Sequence, residues 1–273
     1  MTWRWRRWIE PLAREVWTGR LEAMGGVTWA AIEKPGRSRI LLEAYAQERS
    51  TVSSLQQRHG GSVRAVQARE WMTAKMGKPI RIGTRLEIVE DRARRGATGL
   101  PRLVIPHGMA FGSGEHATTR MLLQALARQK DLDRMRVLDL GTGSGILALA
   151  ARRFGGKKIV ATDFDAEAIR TARQNEALNF LTPLIRWQCA DVKKLRATAR
   201  YDLIIANLFS GILIEAAPQI SRALSQGGAL WLSGILRSQQ QEVAVAYRRC
   251  GLRLVKTTTR GKWVMQQWAT SPG

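Results

Sequence analysis

Hydrophobic and polar positions in the first 68 residues switch repeatedly between a two-residue and a helical period. Alternation in "TWRWRRWI" predicts a strand, and Leu12, Val16 and Leu21 recur at helical spacing within "EPLAREVWTGRLEAM". "VTWAAIEK" and "RILLEAYA" read as strands joined across the turn "PGRS". "ERSTVSSLQQRHG" reads as a helix ending at Gly60, and "SVRAVQA" as a closing strand. Strand, helix, strand, strand, helix, strand is the order of a ferredoxin-like α+β sandwich, here expected over residues 1–68. Residues 69–102 read as a linker region that holds a strand pair, "KPIRIGTRLEIVE", and the loop "DRARRGATGLPR".

From residue 103 to 273 the pattern becomes α/β. "ATTRMLLQALARQ" has a helical period, and strands then alternate with helices through "GGALWLSGIL" and "SQQQEVAVAYRRCG". The end differs, because "LRLVKTTTRG" and "KWVMQQWA" form a hairpin pattern. A doubly wound parallel sheet closed by an antiparallel edge pair is the expectation, which is a class I (Rossmann-like) methyltransferase fold.

The α/β region opens on "VLDLGTGSGILALAA", a short apolar strand, a glycine-rich turn and a helix. Glycines at such a turn let a ligand approach backbone amides at a helix N-terminus. The residues after Gly145 are Ile146 and Leu147, so the lysine of a triphosphate-binding loop is absent. The spacing of Gly141, Gly143 and Gly145 is G-x-G-x-G, which also departs from the dinucleotide fingerprint of a nicotinamide-dependent oxidoreductase. Asp139 puts a carboxylate where a pyrophosphate would sit, and a cationic ligand suits it better.

S-adenosylmethionine has that character, with a ribose and an adenine but an ammonium and a sulfonium in place of phosphates. Asp163 follows Gly141 by about the 20 residues at which an acid meets ribose hydroxyls. Asp191 follows a third strand, where it can accept from the adenine amino group. Taken singly, the three acids also read as a helix cap, a turn residue and a solvated loop acid. "PHGMAFGSGEHATTR" supplies a second glycine-rich loop ahead of a helix, with Thr119 able to hydrogen-bond the ligand. His107 and His116 read as structural loop histidines before they read as bases. "YDLIIANLFSGIL" brings Asn207 and Phe209 to the carboxyl edge of the sheet, where open α/β sheets bind ligands.

Composition adds a partner question. The chain of 273 residues has 45% hydrophobic residues and a net charge of +22. Residues 1–99 hold 19 Lys and Arg against 10 Asp and Glu, so the excess is spread over the whole length. Such a balance favours contact with RNA, ribosomes or acidic partners, or reflects Arg-rich codon usage. No apolar run approaches a membrane span, and "MTWRWRRWIE" lacks a signal-peptide core, so a cytoplasmic location is the expectation. Cys189 and Cys250 have no metal-type spacing, and no metal is expected.

On "AFGSGEHATT", "DLGTGSGILALAA", "TDFD", "LSGILRSQQQEV" and "GKWV", the chain resembles the PrmA family, methyltransferases that modify amino groups of large-subunit ribosomal protein eleven. Ser113 replaces the family's Thr in the glycine loop, and "NLFS" replaces NILA after the fourth strand. The resemblance implies transfer of methyl groups from S-adenosylmethionine to lysine side chains or the N-terminus of a ribosomal protein. It implies cofactor contacts from Thr119, Gly141, Asp163 and Asn207, and an N-terminal domain that recognises the substrate. Gly143, Gly145 and Asp191 join the cofactor set on the reading of the loops above. Asn207 carries the catalytic expectation, by accepting a hydrogen bond from the amine or by holding the methionine end of the cofactor. The rival expectation is an RNA methyltransferase, although "NLFS" lacks the NPPY-like motif of enzymes acting on base amines.

Overall fold

The computed structural model describes residues 2–22, 24, 27–33, 38–66, 79–91, 99–106, 114–195 and 199–270. The chain divides into two compact units, Met1–Met76 and Gly77–Gly273.

In the first unit, strands β1 (Thr2–Ile9), β2 (Thr28–Glu33), β3 (Ile40–Ala46) and β4 (Ser62–Val66) form an antiparallel sheet in the order β2-β3-β1-β4. Helices α1 (Arg14–Glu22) and α2 (Arg49–His59) complete the βαββαβ pattern of a ferredoxin-like sandwich. Alternate β1 residues Trp5 and Ile9 enter the core with Leu42 and Ala44 of β3 and Val52 and Leu55 of α2. The first helix differs from its periodicity. Pro11 starts a 3-10 turn over Pro11–Ala13, and the α-helix begins only at Arg14. The i,i+4 pair Trp17 and Leu21 is buried, while Leu12 is 98% and Val16 56% exposed. Of the expected stripe Leu12, Val16 and Leu21, only Leu21 is buried; the Trp17 indole with its i+4 leucine buries more apolar area than Leu12 and Val16 offer, and it sets the face.

The second unit opens with a small sheet, β5 (Ile80–Ile82), β6 (Leu86–Val89) and β7 (Arg102–Val104), in which β5 is antiparallel and β7 parallel to β6. Ile82, Leu86, Ile88 and Leu103 pack into the core of this unit. The hairpin from the expected linker is therefore an integral part of the second unit.

The main sheet contains β8 (Arg136–Leu140), β9 (Lys158–Asp163), β10 (Arg186–Cys189), β11 (Tyr201–Asn207), β12 (Leu224–Leu236), β13 (Leu252–Arg260) and β14 (Trp263–Thr270). Their order is β10-β9-β8-β11-β12-β14-β13. The first five strands run parallel, and β14 pairs antiparallel with both β12 and β13. This is the class I methyltransferase sheet with its reversed hairpin. Both faces are covered, which explains the nearly continuous apolar runs of the central strands. Val137, Leu203 and Ile205 point into a core with helices α3 (Ala117–Arg128) and α4 (Ile146–Arg153). Their neighbours Leu138, Ile204 and Ala206 point the other way, toward α6 (Ser210–Glu215), α7 (Ala217–Ala223) and α8 (Gln240–Arg249). Helix α5 (Ala166–Asn179) links β9 to β10. No helix among the described residues is long and apolar enough to cross a membrane.

Candidate active site

Chain order runs outward in both directions from β8, so the gap between β8 and β11 is a topological switch point, where loops diverge and leave a crevice. Gly141 follows β8 and Asn207 ends β11, which puts both at its rim.

The glycine turn is built by pinning its amides to the end of β9. Gly141 N–H and Thr142 N–H both donate to the Thr162 carbonyl at 2.9 Å. Gly143 N–H donates to Asp163 Oδ2 at 2.9 Å, and Asp165 N–H to Asp163 Oδ1 at 3.1 Å. Both oxygens of Asp163 are thereby oriented while the residue keeps 8% exposure at the rim. The Asn175 side chain on α5 donates to the Ser144 carbonyl at 2.8 Å and holds the far end of the turn.

Two of the glycines are fixed by close approach. A Cβ on Gly141, at φ +69°, would lie 2.3 Å from the Leu208 side chain, so the loops after β8 and β11 are in contact. A Cβ on Gly145, at φ +82°, would lie 2.8 Å from Trp187 and 3.0 Å from Ala172. Gly145 N–H donates internally to the Thr142 carbonyl. That glycine permits close packing of α4 on its neighbours.

Asp139 is also not at the surface of the crevice. It is fully buried, and Thr142 Oγ1 donates to its Oδ2 at 2.6 Å. Burial pushes its carboxyl up to about 7, with the charge of Asp163 adding to the rise and hydrogen bonds from Thr142 and the Ala148 backbone opposing it. Its work is to brace the turn from beneath. Asp191 caps a short 3-10 turn, accepting from Lys193 N–H at 2.9 Å, and remains partly exposed beyond β10.

On the other side of the crevice, Asn207 Nδ2 donates to Thr119 Oγ1 at 3.2 Å. Thr119 is buried in the first turn of α3. Ser233 Oγ, paired with Asn207 in the sheet register, donates to the Thr118 carbonyl at 3.3 Å. His116 Nδ1 shares a 2.7 Å hydrogen bond with Thr118 Oγ1, and its ring meets Trp263 edge-on at 4.9 Å. His116 is thus a structural histidine at the α3 N-terminus, not a free base. His107 and Ser113 lie outside the described residues.

Periodicity and spacing missed one aromatic. Phe164, between Asp163 and Asp165, is 78% exposed beside the crevice. Its signal was an apolar ring flanked by two acids immediately after a strand. Phe209, 75% exposed after β11, is the corresponding apolar group on the opposite rim. The groups identified at this crevice are carboxylates, amides, hydroxyls and aromatic rings. That chemistry suits a ligand with a diol, an aromatic base and positive charge, and repels a polyphosphate. Among the described residues no group of three His, Cys, Asp or Glu is arranged to hold a metal.

A family model described as Ribosomal protein L11 methyltransferase (PrmA) matches residues 35–270. The chain is 40% identical over 211 residues to the ribosomal protein L11 methyltransferase of Pelobacter propionicus, covering 74% of this chain and 67% of that protein. It is 39% identical to that of Chromohalobacter salexigens, covering 72% of this chain and 64% of the relative. These matches thus span about two thirds of the relatives' length. Among solved structures, a ribosomal protein L11 methylase from Lactobacillus delbrueckii subsp. bulgaricus superposes with a TM-score of 0.64 at 29% identity, over 71% of this chain and 99% of that one. The chain belongs to the ribosomal protein L11 methyltransferase family.

Proposed function

We propose that the chain transfers methyl groups from S-adenosylmethionine to amino groups of ribosomal protein L11, on lysine side chains, the N-terminus or both. The observation that carries this reading is the pairing of a braced carboxylate, Asp163, on one side of the switch point with the tied amide, Asn207, on the other. The residues fit the cofactor by chemistry: Asp163 for the ribose diol, Phe164 and Asp191 for the adenine, and the backbone of Gly141 and Gly143 for close approach. When bound, the cofactor supplies a methyl group on a positively charged sulfur.

The chain's own task is alignment and desolvation. A lysine ammonium ordinarily loses its proton near pH 10.4, so the acceptor must enter an environment that favours the neutral amine. Phe209 and Leu208 provide apolar surface for that purpose. Asn207 has its Nδ2 committed to Thr119, which leaves Oδ1 to accept an N–H of the incoming amine and fix its direction. No metal or covalent nucleophile is required.

The N-terminal unit recognises the protein substrate in this reading, and the enzyme works in the cytoplasm. A contact with ribosomal RNA is part of the proposal, supported by the net charge of +22. The test is incubation of the purified chain with radiolabelled S-adenosylmethionine and ribosomal extract. Label in one protein band of the large subunit is expected, and label in RNA would establish the rival RNA methyltransferase.

A further inference from the structure

The first unit gathers cations that the methyl-transfer chemistry does not use. The Arg7 and Arg20 guanidinium groups lie over the Trp17 ring, with their carbons 5.2 and 5.3 Å from its centroid. The His59 ring meets the same indole edge-on at 4.9 Å. Arg58 is its neighbour in the last turn of α2. Among the described residues, no carboxylate is bonded to Arg7, Arg20 or Arg58, whereas other arginines of this unit, Arg6 and Arg39, have Glu43 and Glu10.

Helix ends account for part of the arrangement. Arg20 is in the last turn of α1 and Arg58 in that of α2, where the negative end of each dipole favours a cation. Each helix end carries roughly −0.5 charge, so the two offset about one of the three guanidinium charges. Among the described residues, about two positive charges remain without a counter-charge. Burial, then the charges of Arg20, Arg7 and Arg58, push the His59 imidazole below its ordinary value, as expected where positive potential is unrelieved.

We propose that Arg7 and Arg20, stacked on Trp17, and Arg58, beside the His59 that meets the same indole, form a docking surface for the phosphate backbone of RNA. Stacking on a buried indole restricts two of the guanidinium groups before any ligand arrives, which lowers the entropy lost on binding. Each planar fork can grip a phosphate through paired N–H donors. An isolated carboxylate would neutralise one charge, whereas a phosphate chain presents several at short intervals and is drawn in by the excess charge of the whole protein. This deepens the ribosomal RNA contact proposed above, and its test contains no methyl donor, so its failure and that of the methyl-transfer reading are separable.

The experiment is fluorescence anisotropy of the full chain with a labelled single-stranded RNA 12-mer over a range of salt. Replacement of Arg7, Arg20 and Arg58 together by Gln should weaken binding on the order of tenfold and reduce the log–log salt slope by about 2, at roughly 0.7 per lost phosphate contact. Replacement of all three by Lys should keep most of the slope. A charge-matched control, Arg248→Gln, Arg249→Gln and Arg253→Gln, removes three exposed cations elsewhere and should change the slope much less. Equal losses in the control and the cluster variant would mean diffuse attraction and overturn the proposal. Unchanged RNA binding with weakened retention of ribosomal protein would identify a protein-docking surface and also overturn it. Should the Gln variant unfold, the unaltered protein still decides. The His59 imidazole pKa, followed by NMR, should rise when RNA binds, and an unmoved titration would refute the site.

Discussion

Asn207 and Thr119 meet on one side of the switch point, with Asn207 Nδ2 3.2 Å from Thr119 Oγ1, and the bond fixes which end of the amide faces an incoming amine. Asn207→Ala should lower kcat by roughly 10- to 100-fold, the effect of losing alignment of one reacting group. The dissociation constant for S-adenosylmethionine should change less than about threefold. Calorimetry and steady-state kinetics on the same preparation check both, and equal losses would make Asn207 a simple cofactor ligand.

Asp163→Ala should weaken S-adenosylmethionine binding by ~1–3 kcal/mol, the usual consequence of removing a charged hydrogen-bond partner. The substitution also releases Gly143 N–H, so part of the loss comes from a looser turn. Asp163→Asn retains an acceptor for Gly143 and should recover part of the affinity. Unchanged calorimetric affinity in the alanine variant would remove the ribose assignment.

These roles were unequally visible in the sequence. The glycine turn, the place of Asp163 at the end of β9 and the closing hairpin are legible because spacing and period carry them. The packing role of Gly145 is not legible, because a glycine that admits a ligand and one that admits a tryptophan look alike until Trp187 is placed against it. Asp139 was read as facing a cation, but its burial depends on how the turn folds back through Thr142. On α1 the periodicity places Leu21 correctly in the core, but Leu12 and Val16 are exposed, because Pro11 delays the helix and tertiary packing buries Trp17 with Leu21 instead. Asn175, which holds Ser144 from 31 residues away, left no local signal at all.

Asp139 gives the second unit a pH dependence of unusual sign. Its folded-state carboxyl is raised to about 7 from 3.8, so the folded form holds the proton more tightly than the unfolded form. The associated stability is fully present below about pH 3.8 and is lost as pH rises to about 7, by ~4 kcal/mol at most at 1.36 kcal/mol per unit. Asp139→Asn should remove that decline, so the difference between wild-type and variant urea-unfolding curves should grow with pH and level off above 7. A difference independent of pH would contradict the buried, raised carboxyl.

Glu176 has the opposite sign. Burial works to raise it, but Ile185 N–H, the Trp187 indole N–H, Leu184 N–H and Arg152 overcome that and hold it below its ordinary value. Its stabilisation is present above about pH 4.5 and is lost as pH falls through the lowered folded value. Glu176→Ala leaves two buried donors, Ile185 N–H and the Trp187 indole N–H, without their acceptor and the largely buried Arg152 without its carboxylate, and should cost about 3–5 kcal/mol in urea unfolding. A loss under about 1 kcal/mol would mean that water replaces the carboxylate.

The division at Met76 suggests a separation of labour. A fragment starting at Gly77 should fold and bind S-adenosylmethionine, because all the proposed cofactor residues lie within it. It should methylate intact ribosomal protein L11 far more slowly than the full chain at equal cofactor saturation, since binding energy from the remote unit presents the amine. Similar rates would remove the recognition role from the first unit.

The most direct measurement is the intact mass of purified ribosomal protein L11 after incubation with S-adenosylmethionine and either the wild-type chain or Asn207→Ala. A mass gain in whole methyl increments, mapped by fragmentation to lysine or N-terminal amines, is expected with the wild-type chain and should be much slower with the variant. No mass gain with the wild-type chain, or an equal rate with both, would contradict the proposed methyl transfer.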